Sequence, residues 1–155
     1  MKNQFLRNPE LNFIIFGGKG GSGKTTSACA TALYFARLYK DKKILVVSTD
    51  PAPSIGDSFD IEVGNKITEI SAKGGSASGG QNNLWAYEMD AKQLMEDFRK
   101  KYQGAINTLI DRGTYLDKED IEEFTNKPLP GMDEIMAVIK IAELLKEKKY
   151  NLIIL

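Results

Sequence analysis

Residues 18–25 read Gly18-Lys19-Gly20-Gly21-Ser22-Gly23-Lys24-Thr25, the spacing G-x-x-x-x-G-K-[S/T]. That spacing can hold phosphate. Glycines let the backbone curl so that successive N–H groups converge on one anion. Lys24 is placed to reach the outer phosphates of a nucleotide, and the Thr25 hydroxyl to bind Mg²⁺. Thr26 follows as a further nucleotide-side hydroxyl. A helix that starts near Lys24 adds its positive dipole end. A second Lys-Gly-Gly run, Lys73-Gly74-Gly75, has no Gly-Lys-Thr behind it and no apolar run ahead of it. It reads as flexible loop.

Two further residue types could do chemistry. Asp50 ends an apolar run and precedes Pro51, and Asp57 follows seven positions later. By itself an Asp-Pro pair reads as a turn or a helix cap. The chain has no histidine, so a carboxylate is the natural group to place water. Lys19 is surplus to an ordinary phosphate loop, which Lys24 already completes. Cys29 is the single cysteine and falls inside the expected first helix, so it reads as core. Met95, Met132 and Met136 lie in the helical region and read as packing.

The elements that must position these residues follow from apolar spacing. Leu11–Phe16 and Lys43–Asp50 read as buried strands. Between them Cys29, Ala32, Leu33 and Ala36 fall at i, i+3, i+4 and i+7, predicting a helix from Lys24 to Tyr39. Strand, helix and strand make a βαβ unit, predicting that the two strands pair in parallel. Asp50 then lies at the carboxyl end of a strand beside the one that leads into the phosphate loop, the edge where ligands bind. Ser71–Asn83 is polar and rich in Gly and Ser, a mobile loop. Leu84–Asp90 reads as a third strand. Met95, Phe98, Tyr102 and Leu109 form an apolar stripe on the next helix. A break at Arg112-Gly113 leads to a short acidic helix near Asp117–Phe124, and Pro128 and Pro130 set the start of another helix at Gly131 or Met132. That last helix carries only a narrow polar stripe of Lys140, Glu143 and Glu147, predicting burial on most sides. Tyr150–Leu155 reads as a core strand.

The bulk properties narrow the function class. The 155 residues suit one domain with a real core, and 42% are hydrophobic and 27% charged. Lys and Arg number 21 and Asp and Glu number 21, so no electrostatic footprint for nucleic acid emerges. One cysteine excludes a disulfide within the chain, which makes a reducing, cytoplasmic setting the default. No apolar run is long enough for a signal peptide or a membrane span.

The loop Lys19–Thr26 resembles the deviant phosphate loop of a large ATPase class that includes arsenite-pump, tail-anchored-protein-targeting, division-site and partition ATPases. In that class the early lysine crosses a dimer interface and touches phosphates held by the partner; the resemblance implies that role for Lys19. Ser48–Phe59, "STDPAPSIGDSF", is similar to switch I of the arsenite-pump and tail-anchored-targeting branch, the ArsA-type anion-transporting ATPases. It implies that Asp50 orients attacking water and that Asp50, Pro51 and Asp57 belong to switch I. Pro53 departs from the pattern, which has histidine there. Asn83–Ala91, Leu129–Leu145 and Tyr150–Leu155 resemble further segments of the branch.

The resemblance implies an α/β P-loop fold: a parallel sheet flanked by helices, with a helical insertion at about 91–130; it does not cover the Gly/Ser-rich insertion around 73–80, within the flexible loop read at 73–83 from composition. It implies ATP and Mg²⁺ as ligands, a homodimer, and a partner that is an anion or metalloid exporter or a membrane-protein cargo. The branch's next segment, Asp-Thr-Ala-Pro, would follow Leu155, so residues 1–155 are expected to be the N-terminal portion of an ATPase domain with an incomplete sheet. Two other functions remain open: a nucleotide-gated scaffold without efficient turnover, and a partition-type ATPase, which the neutral charge disfavours.

Overall fold

A computed structural model describes residues 8, 10–50, 54–70, 82–113 and 131–155. Pro51, Pro53, the Gly/Ser-rich run at 73–80 and the acidic helix expected at 117–124 lie outside the described residues. The chain divides into two units, one of residues 1–89 with 142–155 and one of residues 90–141.

The first unit is built on a five-stranded sheet. In chain order its strands are β1 (Phe13–Ile14), β2 (Ile44–Ser48), β3 (Thr68–Glu69), β4 (Leu84–Glu88) and β5 (Leu152–Ile154). The spatial order is β1-β5-β2-β4-β3. All neighbours run parallel except β3, which pairs antiparallel with the outer side of β4. The α/β architecture with a mostly parallel sheet is as the sequence implies.

One expectation is corrected. β1 and β2 are not a neighbouring pair, because β5 lies between them, bonded to Ile14 on one side and Val46 on the other. A crossover fixes direction and handedness but not which later strand fills the gap. The filling strand comes from the far end of the sequence, where three apolar residues suffice.

Every residue of β2 is buried. A strand with neighbours on both sides and packing on both faces reads as a continuous apolar run rather than an alternation. On one face Ile44, Val46, Leu84, Ala86, Leu152 and Ile154 form a core with helices α1 (Lys24–Leu38) and α2 (Ile55–Phe59). Alpha-one meets the sheet through Ala28, Cys29, Ala32, Phe35 and Ala36. Four of these five are small, which lets the helix backbone come close. On the opposite face Leu45, Val47, Tyr87 and Ile153 are buried as well.

Asn83, at the end of the stretch read as a loop, is buried and fixed. Its amide nitrogen lies 3.2, 2.9 and 2.8 Å from the carbonyl oxygens of Ala36, Tyr39 and Lys42, to which it donates. Those carbonyls sit at and just past the end of α1, where the helix leaves acceptors unsatisfied.

The second unit holds α3 (Ala91–Gly113) and the first part of α4 (Met132–Glu147). Asp90 starts α3 by accepting from the Lys92 and Gln93 N–H groups at 2.9 and 3.2 Å, an N-cap. Along the expected stripe, Met95 and Phe98 are half-buried and Tyr102 is exposed, while Leu94 is buried. Alpha-four is not buried on most sides. Met136 and Leu144 are buried, but Ile135 is 51% and Val138 65% exposed. Two residues along a helix turn about 200°, so Val138 faces away from Met136. An apolar residue count could not tell those faces apart.

Candidate functional site

The phosphate-type loop begins where β1 leaves the sheet. The Phe16 N–H donates to the Leu155 carbonyl at 2.7 Å, so the chain stays paired up to the first glycines. The turn then needs left-handed backbone at two places: Gly21 has φ +74° and Gly23 φ +81°. Only glycine takes such angles without a Cβ penalty. Gly18 is tight for a different reason: a Cβ there would sit 3.0 Å from the Ser22 hydroxyl, which would have to turn aside. Gly20 completes the loop as an exposed residue.

The loop folds around the Lys19 carbonyl. It accepts the Ser22 N–H and the Lys24 ammonium, both at 3.2 Å. The Lys24 side chain is thereby curled back over its own loop, half-buried, while Lys19 is exposed. Alpha-one starts at once. Its first ladder bond runs from the Ser27 N–H to the Gly23 carbonyl at 2.9 Å. The amides of Lys24, Thr25 and Thr26 therefore stand ahead of the ladder, and no acidic residue occupies the first turn. Orphan amides, a helix dipole and an ammonium together make an anion site.

A cleft of about 120 Å³ opens beside it, lined by Lys24, Thr25, Ser48, Thr49, Asp50 and Ile55, with Phe16, Ala28, Val46, Val47 and Leu155 behind. This is the carboxyl edge of the parallel strands, where α/β sheets bind ligands. The fold thus brings Lys24, Thr25 and Asp50 to one cavity. It places Asp50 at the end of β2 but one strand further from β1 than expected, with Leu155 between. Asp50 is exposed, and its N–H donates to the Ser48 hydroxyl at 3.2 Å. Asp57 is exposed in the first turn of α2 and does not line the cleft; nor does Lys19. Pro51 is outside the described residues.

Sequence reasoning gave Glu88 no role, yet it is a buried carboxylate near the site that accepts two backbone N–H groups. Buried at the end of β4, its Oε1 accepts the N–H groups of Ile55 and Gly56 at 2.8 and 3.1 Å. The available signal was an acidic residue closing the otherwise apolar strand Leu84–Tyr87. Cys29 is buried as expected. Desolvation pushes its thiol up to about 11, with the Glu88 charge adding to the rise and a hydrogen bond with Ser58 opposing it.

The residues fit a nucleotide with its polyphosphate: glycines where the loop takes left-handed backbone, amides ahead of a helix, and a lysine on a carbonyl it can release. Among the described residues no group of three or more His, Cys, Asp or Glu could hold a metal alone. Mg²⁺ commonly takes one or two protein ligands beside phosphate oxygens and water. Thr25, Ser48 and Thr49 bring hydroxyl-bearing residues to the cleft lining.

Comparison with known proteins bears on the family of the chain. ATPase ASNA1 homolog 2 of Paramecium tetraurelia is 36% identical over 155 residues, covering 99% of this chain and 42% of that protein. ATPase ASNA1 homolog of Plasmodium yoelii yoelii is 32% identical over 154 residues, covering 98% and 34%. ATPase GET3 of Kluyveromyces lactis is 28% identical over 150 residues, covering 95% and 40%. The chain spans roughly a third to two-fifths of the length of these curated relatives. A family model described as anion-transporting ATPase matches residues 11–155, from β1 through the phosphate-type loop to β5, and the chain therefore belongs to the anion-transporting ATPase family.

Proposed function

We propose that this chain supplies the nucleotide-binding half of an ATPase that binds and hydrolyses ATP with Mg²⁺, works as a homodimer, and couples its nucleotide state to a partner. The observation that carries the reading is the single cleft shared by Lys24, Thr25 and Asp50. In this reading Gly18, Gly20, Gly21, Ser22 and Gly23 wrap the phosphates through their backbone. Lys24 exchanges the Lys19 carbonyl for phosphate oxygens, and the amides of Lys24–Thr26 hold the same oxygens from the helix end. Thr25 would hold Mg²⁺, which supplies charge neutralisation on the phosphates when bound. Asp50 accepts a hydrogen bond from water and sets it in line with the terminal phosphorus. Water's oxygen bonds to that phosphorus, the bond to the bridging oxygen breaks, and ADP and phosphate leave. Positioning and charge do most of the work in such a transfer.

Lys19 is assigned to the neighbouring protomer's phosphates, supported by its exposure and its place outside the cleft. The partner is an exporter of anions or a membrane-protein cargo. No helix among the described residues is long and apolar enough to cross a membrane. Cys29 is buried and cannot serve as an open metalloid ligand.

The deciding experiment is Asp50→Asn in the complete protein. The variant is expected to bind an ATP analogue as the wild type does, while turnover falls about a hundredfold or more. Normal turnover discards the role of Asp50. If the wild type binds ATP and turns none over, the chain is a nucleotide-gated scaffold instead.

A further inference from the structure

Described backbone on either side of residues 51–53 is held by side chains of the sheet. Beta-two and β4 end in register, with Ser48 opposite Glu88, and the Met89 N–H donates to the Ser48 carbonyl at 2.9 Å. From this shared end Ser48 accepts the Asp50 N–H, and Glu88 accepts the N–H groups of Ile55 and Gly56. Both side chains are 8% exposed.

The second grip is unusual in its source. Alpha-two is five residues long, too short to hold itself by its own ladder. A local N-cap would satisfy its first amides. Ser54 stands at that position, but its hydroxyl makes no cap bond and is buried without a partner among the described residues. The cap comes instead from a strand 33 residues away. A local cap would keep the helix wound but leave it free to shift against the sheet. A cap from β4 ties it to the sheet. Two more features make the tie rigid. Ile55 and Phe59 are 1% and 3% exposed in the core. Gly56 passes so close to the following turn that a Cβ would lie 2.7 Å from the Ile61 carbonyl oxygen.

We infer that Glu88 is a positioning residue: by fixing the amides of Ile55 and Gly56 to the end of β4, it sets the downstream anchor of the segment that carries Asp50, and so the place of Asp50 in the cleft. This rests on the reading of Asp50 as the residue that places water. Glu88 does not line the cleft, and its effect on turnover runs through the placement of Asp50.

The test uses the complete protein with Glu88→Ala, Glu88→Gln, Glu88→Asp, Asp50→Asn and the Asp50→Asn/Glu88→Ala double variant. It reads kcat, KM, affinity for a fluorescent non-hydrolysable ATP analogue, and amide hydrogen exchange at Ile55 and Gly56. Misplacing a catalytic group by about an ångström can cost up to a hundredfold. Glu88→Ala is expected to lower kcat by about tenfold or more, with KM and analogue affinity within about twofold. Glu88→Gln keeps an acceptor oxygen and is expected to recover most of kcat. Exchange protection at Ile55 and Gly56 should fall in the first variant and return in the second. Because Glu88 acts through Asp50, the double variant should be no slower than Asp50→Asn. If Glu88→Ala fails to fold, Glu88→Asp decides: with its reach one methylene shorter, it should fold, bind the analogue and still lose kcat.

An unchanged kcat in the variant that folds overturns the inference. So does loss of analogue binding in step with kcat, or a double variant slowed by both effects multiplied. Wild-type turnover in Asp50→Asn is a separate failure. It removes the role of Asp50, and the exchange data then still report whether Glu88 holds α2.

Discussion

Cys29 carries a consequence that belongs to one side chain. Its thiol is buried between α1 and the rest of the core, and desolvation raises it from about 9.0 to about 11. The folded protein therefore holds that proton more tightly than the unfolded chain. The stabilisation is fully present below about pH 9 and is lost as pH rises through about 11. Unfolding midpoints measured from pH 8 upward should fall more steeply across that window in the wild type than in Cys29→Ala. Parallel slopes would mean that the thiol titrates alike in both states. The same burial should keep Cys29 silent to alkylating reagents near pH 8 until the protein unfolds. At this scale the sequence was most legible where chemistry restricts residue type. Gly21, Gly23, Lys24 and Thr25 could be named because few other residues can do their work. Glu88 could not, because its partners are backbone amides 32 and 33 positions away, and a backbone amide has no signature in the sequence.

The first helix shows how an element can be secured at both ends by residues of different legibility. Its start was readable, since the glycine loop must end in a helix. Its finish depends on Asn83, which looked like the last residue of a Gly/Ser-rich loop. Asn83→Ala removes a donor shared by three carbonyls. Buried acceptors left without a partner cost about 1–3 kcal/mol. Urea unfolding should therefore show a loss of that size, with analogue affinity unchanged because the damage lies at the far end of α1 from Lys24. A loss below about 0.5 kcal/mol would mean that water replaces the amide. The short elements escaped the sequence reading for a related reason. Alpha-two has five residues and β3 has two, fewer than a helical or strand period needs to show itself. Strand order escaped as well. Apolar runs identify strands, but β5 enters between β1 and β2 through hydrogen bonds that no run encodes.

The whole-molecule question is whether one protomer completes another's site. Each chain carries two lysines on the same loop with different surroundings. Lys24 lines its own cleft and folds onto the Lys19 carbonyl, whereas the Lys19 side chain is exposed outside that cleft. If Lys24 serves its own nucleotide and Lys19 the neighbour's, the two losses separate when chains are mixed. Lys24→Ala should abolish binding and turnover in its own cleft. Lys19→Ala should bind the nucleotide yet turn it over slowly. A mixed dimer of the two has one site lacking both lysines. The other site is intact, with Lys24 from one chain and Lys19 from its partner. Equal mixing makes about half of the dimers mixed, each with one working site, so about a quarter of wild-type turnover should return from one inactive and one slow preparation. The recovered activity should fall on dilution, as dimers separate. No recovery, or full turnover by Lys19→Ala alone, would place both lysines in service of one chain and leave the dimer without a catalytic role.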